Sequence, residues 1–191
     1  MHSHRILPFM PTPDGQPRTL DDYMRLDVEH GIELIEGEFV VSPAPDPRHQ
    51  TAILRMGSIL DEQVRRLRLG RIYIAPLDVV LSRITAVQPD VLFLSNSSLA
   101  RLDRRLEGPP DIAIEFLSRG NPENDLDRKL KLYRKYGVPE YWIGDPEART
   151  LAIRRLSGGS WSEPVLLDAG GVATSPMMPG VRVPLAEVFI D

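Results

Sequence analysis

The stretch DIAIEFLS, residues 111–118, decides the fold of this chain. Alternation divides its inner side chains between two faces: Ile112, Ile114 and Phe116 on one, and Ala113, Glu115 and Leu117 on the other. Both faces are largely apolar, which predicts a central strand covered on both sides. Glu115 is the exception, because an ionised carboxylate in such a position costs several kcal/mol unless a cation or hydrogen-bond donors meet it.

A second acid repeats this anomaly in VQPDVLFLS, residues 87–95. Asp90 stands immediately before the apolar run VLFL, at the entrance to another predicted core strand. Two carboxylates on adjacent core strands suggest a shared hard cation, and Mg²⁺ is commonly held by one or two carboxylates and water. Taken alone, Asp90 is better explained as the cap of a turn, and Glu115 alone can be half of a structural ion pair with an arginine.

The composition favours one compact domain. The chain has 191 residues, 42% of them hydrophobic, and no break in composition divides it. Its 23 Lys and Arg against 27 Asp and Glu give a net charge of -4, which excludes the strongly basic footprint of a dedicated nucleic-acid binder but leaves room for a local basic face. The absence of cysteine excludes disulfides, thiolate metal sites and cysteine nucleophiles. With no apolar run long enough for a membrane span or a secretory signal, we expect a cytoplasmic protein.

The organisation before the two acidic strands follows from turn and helix signals. Closely spaced prolines predict an extended arm over residues 1–18, followed by a single domain over residues 19–191. A short helix is predicted from Thr19, as N-cap, to a stop at Gly31. A hairpin is predicted around Glu36-Gly37, and a long helix over residues 49–70 that ends at Gly70.

The elements around the two acids complete a mixed sheet. Residues 71–82 and 87–95 are predicted to form a hairpin that turns about Ile84, a register that places Asp78 opposite Asp90. A second strong helix is predicted over residues 122–137, followed by a strand over residues 140–145 and a small antiparallel extension. The order helix, strand, strand, strand, helix, strand predicts an α/β fold, a mixed sheet flanked by helices.

One lysine lies on the buried stripe of that second helix. With Leu126 as the origin and a turn of about 100° per residue, Lys129 falls about 60° away, whereas Lys131 falls about 140° away and points outward. A lysine ammonium next to a metal-bound water would position it and offset charge on a phosphate. An ordinary lysine that reaches from the core face to its edge gives the same pattern.

Several phrases of the chain, in order, resemble those of the bacterial Uma-two family, proposed endonucleases with the PD-(D/E)XK restriction-endonuclease-like fold. The resemblance covers roughly residues 19–160, in the phrases GIELIEGEFVVSPAPDPRHQ, APLDVVL, VQPDVLFLS, DIAIEFLS and RKLKLYRKYGVPEYWIGDP. It implies that Asp90 and Glu115 bind a divalent metal. In the simplest version of the pattern a lysine follows the second acid by two residues, where this chain has Leu117. The resemblance implies that Lys129, on the following helix, takes that role.

Four further side chains are supporting candidates for the site. Asp78 becomes a third acid if the predicted hairpin register holds. His49 is expected either to contact substrate or water in the site, or to be only the first residue of the long helix. Glu33 and Glu38, from the first hairpin, either reach the same cleft or lie on a solvated surface, and the second is the more common outcome for glutamate.

We therefore expect an endonuclease that uses Mg²⁺ or Mn²⁺ to hydrolyse phosphodiester bonds in DNA, with Asp90, Glu115 and Lys129 as its catalytic residues. The alternative is a catalytically silent nucleic-acid-binding, regulatory or assembly module on the same fold. A homodimer, formed through the proline-rich arm and the C-terminal strands, is also expected. It is compatible with the nuclease, since cutting both strands of a duplex is often easier with two sites related by symmetry. Phosphate contacts would then come from a local patch, either residues 65–68 or residues 101–105, although such runs are more often solvated helix faces.

Overall fold

The computed structural model describes residues 15–26, 31–41, 46–118 and 122–190, with the backbone alone for residues 122–125. Most of the predicted proline-rich arm, residues 1–18, lies outside these ranges, and residues 15–18 are not helical. Within the described ranges, no helix combines the length and the hydropathy needed to cross a lipid bilayer.

Four α-helices, one 3-10 helix (Ser98–Arg101) and fourteen strands lie in the described part of the chain. The strands are β1 (Ile32–Ile35), β2 (Glu38–Val41), β3 (Gly70–Ile74), β4 (Val79–Ser82), β5 (Thr85–Val87), β6 (Val91–Ser95), β7 (Leu106–Glu107), β8 (Ile112–Phe116), β9 (Glu140–Asp145), β10 (Thr150–Ser157), β11 (Ser160–Trp161), β12 (Val165–Leu167), β13 (Val172–Ala173) and β14 (Val183–Pro184). The helices are α1 (Leu20–Met24), α2 (Pro47–Leu67), α3 (Pro122–Lys135) and α4 (Leu185–Val188).

The main sheet has the order β11-β10-β9-β8-β6-β3, with β12 also paired to β10. Strand β8 lies inside this sheet, antiparallel to β6 and parallel to β9, and all five of its residues are buried. The prediction that DIAIEFLS is a central strand is therefore confirmed. The strands after β9 form the predicted antiparallel extension, and the short helix α4 near the C-terminus was not predicted.

Two helices cover the two faces of the main sheet. Met56 and Leu60 of α2 share one apolar cluster with Ile114, whereas Leu132 of α3 shares another with Ala113. Burying a side chain of this size contributes roughly 1.5–3 kcal/mol. The alternation predicted for β8 thus corresponds to real faces, and Glu115 points to the α3 side with Ala113.

The predicted hairpin between residues 71–82 and 87–95 is confirmed in its antiparallel pairing and in its turn at Arg83 and Ile84, but it is not continuous and its register is shifted. Each of the two runs is interrupted by a proline, Pro76 in the first and Pro89 in the second, and the halves join different sheets. Strand β3 pairs with β6 in the main sheet, whereas β4 pairs with β5 in a second sheet of order β2-β1-β5-β4-β7. Since proline donates no backbone hydrogen bond, a run that contains one is unlikely to continue as a single inner strand.

The elements at the start of the domain follow their predictions with shifted ends. Thr19 caps α1 with a reciprocal bond to Asp22, but the helix ends at Met24 rather than near Gly31. The first hairpin turns at Glu36 and Gly37, both with positive φ, as its sequence predicts.

Helix α2 also departs from its predicted ends. It begins at Pro47, after the N-cap Asp46, and ends at Leu67, where Arg68 adopts a left-handed conformation. Gly70 instead begins β3, in an extended approach to β6: a Cβ atom there would lie 1.9 Å from the Leu94 carbonyl oxygen. The glycine that was predicted to end the helix is therefore required by strand pairing.

Candidate active site

The structure brings Lys129 of α3 to Glu115 of β8. The Nζ atom of Lys129 donates to Oε1 of Glu115 over 2.9 Å, and both side chains are buried. Lys131, two residues along the helix, is exposed. The helical arithmetic that placed Lys129 on the buried stripe and Lys131 outside is confirmed, and Glu115 has the cation that its position demands.

Asp90 lies directly across from Glu115. The pairing of Val91 with Ile114 in β6 and β8, continued by one residue, sets Asp90 opposite Glu115. The backbone N–H of Phe116 donates to Oδ2 of Asp90 over 2.7 Å, which fixes the orientation of that carboxylate. The two acids singled out by the sequence therefore meet where β6 begins and β8 ends, at one end of the inner strands of the main sheet.

His49, in the first turn of α2, reaches the same end of these strands. Its Nε2 atom lies 3.0 Å from the Phe116 carbonyl oxygen and 3.3 Å from Oδ2 of Asp90. Because a carbonyl oxygen can only accept, Nε2 carries the hydrogen. Nδ1 is buried and has no hydrogen-bond partner among the described residues. His49 thus supports Asp90 and is more than a helix-start residue.

Of the two candidate glutamates in the first hairpin, Glu33 joins this cluster and Glu38 does not. Glu33 is buried, and its Oε1 lies 3.3 Å from Nζ of Lys129 and accepts the backbone N–H of Gln88 over 2.7 Å. Glu38 is exposed and pairs with Arg128 over 2.7 Å. Lys129 is therefore held between two buried carboxylates, those of Glu115 and Glu33.

Asp78 does not stand opposite Asp90, so the predicted register is wrong. Val79 pairs with Val87 and Val80 with Ala86, a register offset by two residues from the predicted one, and Asp90 lies outside this pairing, immediately before β6 of the main sheet. The Oδ1 atom of Asp78 accepts from Tyr23 over 2.8 Å and from the Gln88 side chain over 2.9 Å. Through Gln88, Asp78 supports the backbone that binds Glu33.

Two contributors were missed from the sequence. The hydroxyl of Tyr133 donates to Oε1 of Glu115 over 2.7 Å from a fully buried position. Its spacing of four residues from Lys129 puts both on one face of α3, and this signal would have identified it. Gln88 links Glu33, which is 55 residues away in the chain, to Asp78, which is 10 residues away. No local sequence pattern indicates such a role.

Burial sets the protonation behaviour of the site. It raises the pKa of Glu115 to about 8, opposed by the charge of Lys129 and reinforced by the charges of Asp90 and Glu33. Burial likewise raises the pKa of Tyr133 well above its usual value, so the phenol remains a donor. Burial alone would lower the pKa of His49, but its hydrogen bond to Asp90 and the charge of that residue outweigh it, so that the pKa is raised.

The raised pKa of Glu115 predicts that the metal-free protein loses stability as pH rises. The unfolded chain releases this proton near the ordinary value of 4.5 and the folded chain near 8, so the contribution is fully present below 4.5 and is lost as pH increases to about 8. The slope is at most about 1.4 kcal/mol per pH unit. Denaturant unfolding of wild type and Glu115→Gln between pH 5 and 8.5, with a chelator present, measures it. We expect a smaller slope in the variant; equal slopes would contradict the assignment.

The donor set fits a small hard cation. No hydrogen bond from the described residues reaches Oδ1 of Asp90 or Oε2 of Glu115, so each carboxylate keeps one oxygen for a ligand. In the described part of the chain, no group of three or more His, Asp or Glu side chains is placed to hold a metal. A cation here would rest on these two carboxylates with water completing its shell, which is the way Mg²⁺ is commonly bound.

A mixed sheet with two opposed acids, covered by a helix that supplies a lysine, defines a protein with the restriction-endonuclease-like fold. The chain belongs to the Uma2 (Uma-two) family, whose model, described as "Putative restriction endonuclease", matches residues 20–186. A crystal structure titled as a "putative nuclease belonging to DUF820" from Anabaena variabilis ATCC 29413 has the same fold, with a TM-score of 0.78 and 22% identity over 91% of this chain and 98% of that one. No curated protein matches the chain.

Proposed function

We propose that this protein is an endonuclease that uses Mg²⁺ or Mn²⁺ to hydrolyse phosphodiester bonds in DNA. The observation that carries the proposal is the pair of opposed carboxylates, Asp90 and Glu115, with the ammonium of Lys129 at 2.9 Å from the second. Membership of the Uma2 family supports nuclease chemistry in general. The choice of DNA rests on the description of that family as restriction endonucleases, and the choice of these metals rests on the two carboxylates.

Each residue of the site has a part in this proposal. Asp90 and Glu115 would hold the cation, whose chemistry when bound would be to polarise the phosphate and to supply a reactive water. Lys129 places a fixed positive charge where the attacked phosphate gains negative charge, in surroundings where burial strengthens the interaction. Tyr133 and the backbone N–H of Phe116 each bind one carboxylate oxygen and orient the other toward the ligand.

Calorimetric titration with Mn²⁺, followed by an assay of plasmid nicking, tests the proposal. Wild type is expected to bind the metal and to nick the plasmid only when metal is present. In crystals soaked in Mn²⁺, anomalous density is expected between Asp90 and Glu115. Binding without any cleavage of DNA or RNA would reject the enzyme, and cleavage that persists in a chelator would reject the metal.

A second candidate function is a catalytically silent nucleic-acid-binding or regulatory module. The observation that favours it is that Lys129 and Tyr133 already bind Glu115, as in a purely structural ion pair. In such a module, Mn²⁺ titrations of wild type and of Glu115→Gln give the same heat, because the wild type has no metal site for the substitution to remove. The calorimetric experiment therefore separates the two functions.

Substitution of Glu33 and of Glu38, in the two strands of one hairpin, is expected to have different effects on the cleavage rate. We expect Glu33→Gln to lower kcat by about 10- to 100-fold, because a partner that holds a catalytic group contributes on this scale. The variant keeps an acceptor for the Gln88 N–H and loses only the charge that faces Lys129. Glu38→Gln, exposed on the next strand, is the matched control and should cleave at the wild-type rate. Equal rates for the two variants would remove Glu33 from the site.

A further inference from the structure

A shallow pocket opens at the same end of strands β8 and β9 as the two acids. Its lining is Arg48, Ala52, Pro146, Glu147, Arg149, Val188, Phe189 and Ile190. Strands β8 and β9 are parallel and Phe116 pairs with Gly144, so the turn after β9 that supplies Pro146 and Arg149 emerges beside the end of β8. The pocket therefore adjoins the strand end that carries Glu115.

Ring contacts and chain connectivity join this pocket to the acids. Phe116 packs edge-on against Phe189 of the pocket at 6.4 Å and against His49 at 6.3 Å. His49 lies 3.3 Å from Asp90, and Arg48 is its neighbour in the chain. Consecutive Cα atoms are about 3.8 Å apart, so the Arg48 side chain begins beside the residue that contacts Asp90. Ala52 and Phe189 place the pocket on the α2 side of the sheet, so a strand reaches it by passing round the end of β8 from the α3 side, to which Glu115 points.

The charges at the pocket suit a phosphodiester backbone. Arg48 and Arg149 are exposed, and a bond of 2.7 Å from the Arg149 guanidinium to the Phe189 carbonyl oxygen holds that side chain at the pocket. Guanidinium groups recognise phosphate with several donors at once. Glu147 is the one acid in the lining, so the two arginines leave an excess of one positive charge.

The basic runs named from the sequence lie outside this pocket. Arg65 pairs with Asp61, Arg105 with Glu107, and Arg101 donates to the Pro109 carbonyl oxygen; since Arg149 also has a carbonyl partner, position rather than pairing separates these runs from the pocket. Arg66 is exposed but lies near the far end of α2, about 27 Å along the helix from Arg48. Arg66 is therefore too far from the acids to contact the phosphates next to the cleaved bond.

We propose that the nucleic-acid strand leaves the catalytic carboxylates across this pocket, where Arg48 and Arg149 bind a phosphate next to the one that is cleaved. This inference rests on the proposed function, since it assumes a nucleic-acid substrate. It makes the two arginines binding residues that act on affinity for the substrate and leave the chemical step to Asp90, Glu115 and Lys129.

Binding of a fluorescent DNA oligonucleotide, measured by anisotropy with a chelator present and over a range of salt concentrations, tests the proposal without cleavage. Arg48→Ala and Arg149→Ala are each expected to raise Kd about three- to tenfold and to reduce the slope of log Kd against log salt by roughly 0.9. Glu147→Gln is expected to change affinity in the opposite direction, about two- to threefold tighter. Loss of folding cannot produce such an improvement.

Two controls keep the result interpretable. Arg66→Ala removes an equal charge at the other end of α2 and should leave Kd within about twofold. Arg149→Lys keeps the charge and should bind better than Arg149→Ala. Identical Kd and salt slope for Arg48→Ala, Arg149→Ala and Arg66→Ala, with wild type bound, would overturn the pocket and leave the nuclease intact. A wild type that neither binds nor cleaves nucleic acid would overturn both.

Discussion

Replacing Asp90 by Asn is expected to reduce metal-dependent cleavage on the order of 10²–10³-fold or more. Asn keeps the volume of the side chain and an oxygen for the Phe116 N–H, which donates to Asp90 over 2.7 Å. It removes the negative charge that faces the proposed cation. The loss should therefore appear in calorimetric metal affinity and in kcat, while the midpoint of denaturant unfolding changes little.

Asp61→Asn is the matched control for this variant. Asp61 lies on α2, pairs with Arg65 over 2.9 Å and takes no part in the site. Its loss should cost less than about 1 kcal/mol of stability, as is usual for surface ion pairs, and none of the cleavage. If Asp90→Asn cleaves as fast as Asp61→Asn, Asp90 has no part in the reaction and its place across from Glu115 is structural.

The parts of this site that local patterns predict are those in which one element determines the geometry. Glu115 is marked by its position in a strand that is apolar on both faces, and Lys129 by its angle on one helix. Neither requires knowledge of a partner. Their meeting at 2.9 Å follows because α3 leaves β8 and packs back on the face to which Glu115 points.

The main error concerns the register of two neighbouring runs and the sheets that their halves join, rather than the existence of the strands. Residues 71–82 and 87–95 have the composition of two inner strands, and Pro76 and Pro89 signal that each run is interrupted, but no residue within them shows that the halves join separate sheets. The prediction that Asp78 lies opposite Asp90 depended entirely on the register of that pairing. A difference of one or two residues in register exchanges every cross-strand partner, so a third acid predicted in this way is no better than the pairing behind it.

The second large effect is expected at Lys129. Lys129→Met should lower cleavage on the order of 10²–10³-fold, because it removes a fixed charge next to the attacked phosphate. It should also destabilise the metal-free protein by about 3–5 kcal/mol near pH 8, because Glu115 and Glu33 would then lie buried without their shared cation. Glu115 can escape part of this cost by protonation, so the difference from wild type should shrink as pH falls.

Lys131→Met separates the role of this ammonium from a general effect of charge on α3. The two lysines lie two residues apart, one buried between carboxylates and the other exposed, so the substitutions remove the same group from opposite faces of one helix. Lys131→Met should cleave and unfold like wild type. Should Lys129→Met be too unstable to assay, Lys129→Arg keeps the charge and restores folding, and its rate then measures how strictly the position of that charge matters. Cleavage by a folded Lys129→Met at the rate of Lys131→Met would show that the buried lysine is structural, and the silent module would become the better account of this chain.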